Sequence, residues 1–343
     1  MDTITHLALG ACTGEILLGK KLGKKAMLWG ALAQNLPDCD TFVSEFYRAD
    51  KSFLIHRGIT HSLFFAVVAG VCLAFLVARI HRKNNPVLHE LIFFFCFQLA
   101  LHDLLDTCNA YGTGLLEPFS QHRFAINVLY VADPLFTISM IIAALFLLFK
   151  KPTFPVRVKW AWRGIIVSAF YLCAAGVNKL YINYRVDQSI LRQKTAINHY
   201  FTTPAPFNSL LWFVVAQKDS VYFTAYASVF DDFKQPIAYS FYPQNHVYAH
   251  LKADTAVLQN LATFASGYYT ISQTGGDYYF NVLRFQQVQG WLGYNAPFAF
   301  SYPLKPGKAD GMILQRGRMI GWNAKSRSQY IARIFGNQNP AKP

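Results

Sequence analysis

Apolar residues form long runs in the first half of the chain and short patches in the second. The longest runs carry few charged residues, and they approach the roughly 20 residues that a helix needs to cross a bilayer. They occupy residues 62–80, 87–105, 129–149 and 164–184. Two shorter runs, 7–19 and 26–36, flank a lysine-rich stretch and predict a tight helical hairpin.

The pattern changes near residue 200. Residues 220–230 and 278–285 are rich in aromatic and β-branched side chains, which predicts strands, and Gly275-Gly276-Asp277 predicts a hairpin turn. Residues 251–264 have helical spacing with Asp254 as the cap. The sequence therefore predicts an α-helical polytopic membrane domain over 1–184 (four long helices plus a short N-terminal helical hairpin), followed by a small α+β soluble domain over 185–343.

Composition and charge support a membrane setting. The chain is 53% hydrophobic and 15% charged, with a net charge of +14. Such a charge suits either nucleic acid or anionic lipid. The basic residues lie largely in short loops between the apolar runs, so we expect the lipid bilayer as partner and no specific nucleic acid. All six cysteines precede residue 185, so the second domain cannot form a disulfide.

The basic loops also predict an orientation. By the positive-inside rule, the loops at 20–25, 81–83 and 150–163 are cytoplasmic. The alternation then places the second domain on the periplasmic side of a bacterial inner (cytoplasmic) membrane. It places the candidate ligands described next on that same side.

Polar residues of the type that bind metals interrupt the apolar pattern. Residues 56–62 (HRGITHS) stand at the mouth of a long apolar run, where each buried polar group costs free energy unless it is satisfied. His102 and Asp106 are four residues apart and share one helix face. Imidazole and carboxylate donors suit zinc, with manganese or iron as alternatives, and the set can hold one to three ions. The candidate ligands are His6, Asp38, His56, His61, His102 and Asp106.

Two further residues are candidates for catalysis. Sites with several metal ions serve phosphoester hydrolysis. Arg57 would bind the substrate phosphate, and Asp40, if it is not a ligand, would be the general base. Asp38 and Asp40 also suit a simpler role as caps of the following turn. Asp103 is expected to face solvent.

Three functions fit these features. The first is hydrolysis of a phospholipid or other lipid-linked phosphoester by metal-activated water. The second is a non-enzymatic metal-binding membrane scaffold or regulatory protein. The third is a cation transporter, which requires polar residues buried through the helices; Gln98 and Asn178 are the candidates. Metal identity and oligomeric state stay open.

The motifs resemble those of a bacterial family of inner-membrane metal-dependent hydrolases, one branch of which is LexA-regulated. The resemblance rests on Thr5-His6, Pro37-Asp38-x-Asp40, HRGITHS at 56–62 and His102-x-x-x-Asp106. Further matching segments are 111–119, 123–124, 133–134, 206–208 with Trp212, and 283–285. The family is distantly similar to zinc-dependent phospholipase C and the single-strand zinc nucleases, which are helical and hold three zinc ions with His and Asp. That similarity implies phosphoester hydrolysis.

Overall fold

The computed structural model describes residues 1–82, 87–193, 197, 199–247, 254–293, 296–304, 314–315 and 321–338. The chain divides into two compact units. The first comprises Met1–Phe46 and Phe53–Ala174, and the second comprises Tyr47–Ser52 and Ala175–Pro343. Lys83 of the predicted basic loop and Leu251 of the predicted helix lie outside the described residues.

Helices build the first unit. They are α1 Thr3–Leu22, α2 Lys24–Asn35, α3 Asp40–Ser44, α4 Ala49–Ile55, α5 Leu63–Ile80, α6 Leu88–Asp106, α7 Pro134–Phe149 and α8 Arg157–Gln193. Two of them, α4 and α8, also contribute residues to the second unit. Short 3₁₀ turns precede α3 at Pro37–Cys39 and α5 at Ile59–His61.

Glycines allow α1 and α2 to pack as the predicted hairpin. A Cβ atom at Gly10 would lie 2.3 Å from the carbonyl oxygen of Gly30, and one at Gly14 would lie 2.2 Å from that of Ala26. Only residues without a side chain permit this approach of two helix backbones. The close packing brings His6 of α1 within hydrogen-bonding distance of Gln34 of α2.

Within the described residues, three helices are long and apolar enough to cross a membrane: α5, α6 and α8. The apolar helix α7 has 16 residues, or about 24 Å of length. The prediction that it starts at residue 129 was wrong. Asp133 instead accepts hydrogen bonds from the backbone N–H groups of Leu135 and Phe136 at 3.0 and 3.4 Å, and Pro134 occupies the first helical position. This combination starts a helix at Pro134.

Two four-stranded antiparallel sheets build the second unit, which is the soluble part. One contains β1 His199–Pro204, β2 Leu211–Lys218, β3 Val221–Ser228 and β4 Ser240–Pro243; the other contains β5 Tyr269–Thr274, β6 Asp277–Gln287, β7 Phe298–Leu304 and β8 Leu314–Gln315. Helices α9 Thr255–Phe264 and α10 Ala324–Ile334 accompany them. The predicted strands and the turn at Gly275 and Gly276 are confirmed; both glycines have positive φ, at 59° and 85°.

Candidate metal centre

Four of the six predicted ligands converge at one point in the first unit. Asp38 comes from the 3₁₀ turn after α2, His61 from the turn before α5, and His102 and Asp106 from the last turns of α6. One donor atom from each lies within 4.8 Å of the others. His61, His102 and Asp106 are fully buried, whereas the Asp38 side chain is 19% exposed.

Outer hydrogen bonds orient His102 toward the centre. Its Nδ1–H donates to the backbone carbonyl of Gln34 at 2.5 Å. That bond fixes the tautomer and leaves the lone pair on Nε2. Nε2 lies 3.8 Å from Oδ1 of Asp38 and has no hydrogen-bond partner among the residues described.

His61 is held in a similar way by a carboxylate. Its Nδ1 lies 3.3 Å from Oδ2 of Asp40. Its Nε2 lies 3.3 Å from Asp38 and 3.7 Å from Asp106. A carboxylate behind a histidine is the usual outer partner of a metal-binding imidazole, because it sets the tautomer and raises the basicity of the ligand.

Asp106 is surrounded by positive or protonatable groups. Nη2 of Arg57 lies 3.1 Å from Oδ2, an ion pair that lacks hydrogen-bond alignment. Oδ1 is 3.2 Å from Nε2 of His6, and the amino group of Met1 also contacts it. A metal ion bound here would share the Asp106 carboxylate with these groups.

The donor set fits a divalent metal ion. Two carboxylates and two neutral imidazoles are donors that zinc commonly takes. Buried polar atoms without a partner are rare in folded proteins because they lose their hydration. The unpaired Nε2 of His102 is such an atom, and a metal ion would satisfy it.

The other two predicted ligands lie beside the four. His6 stacks on His102 with ring centroids 3.9 Å apart, and its Nδ1 is 3.2 Å from Oε1 of Gln34. His56 is half-buried and places Nδ1 2.7 Å from Oδ1 of Asp40. Ligation by either histidine stays a prediction, because neither belongs to the group of four.

Asp40 binds the 56–61 loop. Its Oδ2 accepts the backbone N–H of Arg57 at 3.0 Å and the hydroxyl of Thr60 at 2.5 Å. Burial alone would raise the pKa of Asp40, but the hydrogen bonds from His56 and His61 hold that pKa below its usual range. Asp40 thus stays ionised and orients His61. Its role as general base stays a prediction.

Arg57 joins the loop to the centre. Its Nη1 donates to Oδ1 of Asn109 at 2.8 Å, and its guanidinium lies 5.0 Å from the ring centroid of Tyr111. Its Nε has no hydrogen-bond partner in the part of the chain that the structure describes. The backbone of Arg57 has φ of 66°, an unfavourable value for a residue with a side chain. Such strain is typical of functional sites.

Sequence reasoning missed two supporting residues and misplaced a third. Gln34 contacts His102 through its backbone carbonyl and His6 through its side-chain amide oxygen. Asn109 accepts a hydrogen bond from Arg57. A polar residue at the end of a short apolar run was the available signal for Gln34. Asp103 was expected to face solvent, which is wrong: it is fully buried, because α6 packs against its neighbours on more than one face.

Comparisons with known proteins agree with the membrane reading. The family model described as YdjM inner membrane protein matches residues 1–182. Inner membrane protein YbcI of Escherichia coli (strain K12) is 35% identical over 123 residues, which are 35% of this chain and 69% of that protein. The uncharacterized protein YfhP of Bacillus subtilis (strain 168) is 29% identical over 154 residues, 42% of this chain and 45% of that protein.

No solved structure matches the chain significantly. The family match covers all four residues of the candidate metal centre and also His6 beside them. It also covers α5 and α6, two of the three helices suited to a membrane. Since the match extends over more than half of the sequence, the chain belongs to the YdjM inner membrane protein family.

Proposed function

We propose that this protein is a membrane-bound metal-dependent hydrolase that cleaves phosphoesters of phospholipids or other lipid-linked substrates. One observation carries the proposal: His61 and His102 direct Nε2 toward the Asp38 and Asp106 carboxylates, while hydrogen-bond acceptors outside the group hold each Nδ1. LexA regulation, the likeness to zinc-dependent phospholipase C and a periplasmic second domain belong to the same proposal.

Each residue then has a defined task. Asp38, His61, His102 and Asp106 hold the ion. A bound zinc ion supplies Lewis acidity and activates water at neutral pH. Arg57 offers Nε to a phosphate oxygen, since its Nη1 and Nη2 face Asn109 and Asp106.

Asp38 supports access to the centre. It is the one member of the four that reaches solvent, with its side chain 19% exposed. Burial alone would raise the pKa of Asp38, but the hydrogen bond from His61 and the nearby His102 hold it below the usual range. The carboxylate is therefore ionised at neutral pH and ready to accept a cation.

The test combines metal content with turnover. Purified protein should contain at least one zinc, manganese or iron ion per chain, and His61→Ala, His102→Ala and Asp106→Ala should each reduce that content. His89→Ala is the matched control, because His89 is an exposed histidine at the start of the same helix.

A panel of phosphoesters in detergent should show hydrolysis that stops with a chelator. Arg57→Lys should keep the metal and lose most turnover, because lysine cannot copy the planar donor set of arginine. Cleavage of carboxyl esters or amides alone would refute the phosphoester assignment and the role given to Arg57.

A non-enzymatic metal-binding scaffold is the second candidate. Four protein donors, three of them fully buried, would be enough to hold a zinc ion with no water ligand, and structural zinc sites are closed in this way. Fully metallated protein that is inert toward the whole panel would favour the scaffold. Transport has less support: Gln98, which a cation path would need, is hydrogen-bonded to Thr13 and Gln34.

A further inference from the structure

An exposed apolar rim borders the metal centre. We define the apolar rim as Leu63, Phe64, Leu116 and Phe119. Phe119 is 82% exposed, and the other three are between 41% and 47% exposed. The rings of Phe64 and Phe119 meet edge to face, with centroids 5.9 Å apart. Large apolar side chains left in water forgo the favourable free energy of transfer to an apolar surrounding, so the rim suits an apolar partner.

The rim continues the outward surface of α5. The backbone N–H of Leu63, the first residue of α5, donates to the carbonyl of Leu115 at 3.1 Å. This bond fixes the turn at 115–119 beside the start of a helix suited to span the membrane. The outward side chains of α5 include Val67, Val68, Phe75 and Leu76, all exposed. The exposed apolar surface of α5 therefore continues onto Phe119 through its contact with Phe64.

The same turn is attached to the metal centre. The N–H of Gly114 donates to the carbonyl of Arg57 at 3.0 Å, and the N–H of Glu117 donates to the carbonyl of Gly114 at 3.0 Å. A Cβ atom at Gly114 would lie 2.8 Å from Oε1 of Glu117, so the turn closes tightly. The guanidinium of Arg57 lies 3.1 Å from Asp106. Hence one short segment joins the exposed apolar surface of α5 to the centre.

We propose that the apolar rim inserts into the lipid leaflet and admits a membrane lipid from the bilayer to the metal centre. The substrate class is then a lipid phosphoester whose acyl chains stay in the bilayer while its phosphate reaches Arg57. The occupant of the rim is lipid because the rim is continuous with the lipid-facing surface of α5. The hydrolytic part rests on the proposed function, whereas the insertion of the rim does not.

Photocrosslinking in vesicles tests the insertion. The full chain, with p-benzoylphenylalanine at position 119 and separately at 116, is reconstituted in phosphatidylethanolamine–phosphatidylglycerol vesicles and irradiated. Mass spectrometry should find lipid adducts at both positions, at yields comparable to position 75, the lipid-facing control on α5. Position 241, an exposed phenylalanine in β4, should give none. Two rim positions keep the test valid if one variant fails to fold.

Adducts at 75 without adducts at 116 and 119 would overturn the proposal. So would a rim that crosslinks to a second copy of the chain, which would identify a protein interface. Crosslinking does not depend on turnover. If no phosphoester in the panel is hydrolysed, the proposed function is refuted, whereas the result on insertion of the rim is unaffected.

Discussion

Replacing Asp40 with asparagine separates an orienting role from a catalytic one. The carboxylate contacts His56, the backbone of Arg57, the Thr60 hydroxyl and His61. An asparagine has one acceptor oxygen and one donor nitrogen, so it cannot accept from all of these groups. If its amide nitrogen faces His61, Nδ1 must accept, and the proton moves to Nε2, where it blocks metal binding.

The expected cost follows from this position behind a ligand. Loss of an outer partner of a metal-binding histidine weakens metal affinity roughly 10–100-fold, or about 1.4–2.8 kcal/mol. Zinc titration against a fluorescent competitor should show this weakening in Asp40→Asn, with unchanged stoichiometry at saturating zinc. A general base that does not orient a ligand would instead lose turnover with metal affinity intact.

Asp133→Asn is the matched control, since Asp133 is also a buried carboxylate of the first unit. It caps α7, and asparagine caps helices equally well. Its metal affinity should equal that of the wild type. Wild-type affinity in Asp40→Asn would refute the orienting role, and equal losses in the two variants would show that the effect is not specific to the centre.

Three further predictions concern topology, packing and acid. An alkaline phosphatase reporter fused after Tyr184 should be active and a fluorescent reporter there should be dark; the reverse pattern would contradict a periplasmic second domain. Gly10→Ala should destabilise the first unit by about 1–3 kcal/mol in thermal melts, whereas Gly176→Ala, whose Cβ meets nothing within 4 Å, should not; equal effects would contradict the hairpin packing. The pKa of Asp40 is lower in the folded protein than in the unfolded chain, so ionised Asp40 stabilises the metal-free protein above about pH 4 and stabilises it less at lower pH. In protein treated with a chelator, Asp40→Asn should therefore reduce the fall of melting temperature with decreasing pH; an unchanged fall would contradict this.

Local spacing predicted those parts of the centre that lie on one element. His102 and Asp106 share a face because four residues make about one helical turn. Ser62 caps α5, with its hydroxyl accepting the N–H of Phe65 at 3.1 Å, a role that serine commonly takes before a helix. The change from helices to strands near residue 200 was equally visible, because the two structures have different periods.

Long-range contacts left no comparable signal. Asp38 and Asp40 are only two residues apart. Asp38 belongs to the group of four and Asp40 binds the 56–61 loop. This difference depends on where the loop packs, which local spacing does not show. The Gln34 carbonyl that orients His102 is a backbone group, which any residue would supply. Asp103 was misplaced because a single-face view of α6 could not anticipate packing on several sides.

Anomalous diffraction at the zinc edge, from crystals of the full chain grown with zinc, tests the central claim most directly. The predicted result is a peak in contact with Nε2 of His61, Nε2 of His102 and carboxylate oxygens of Asp38 and Asp106. A map without zinc at these four residues, from protein that binds zinc elsewhere or not at all, would contradict the metal centre and the hydrolase built on it.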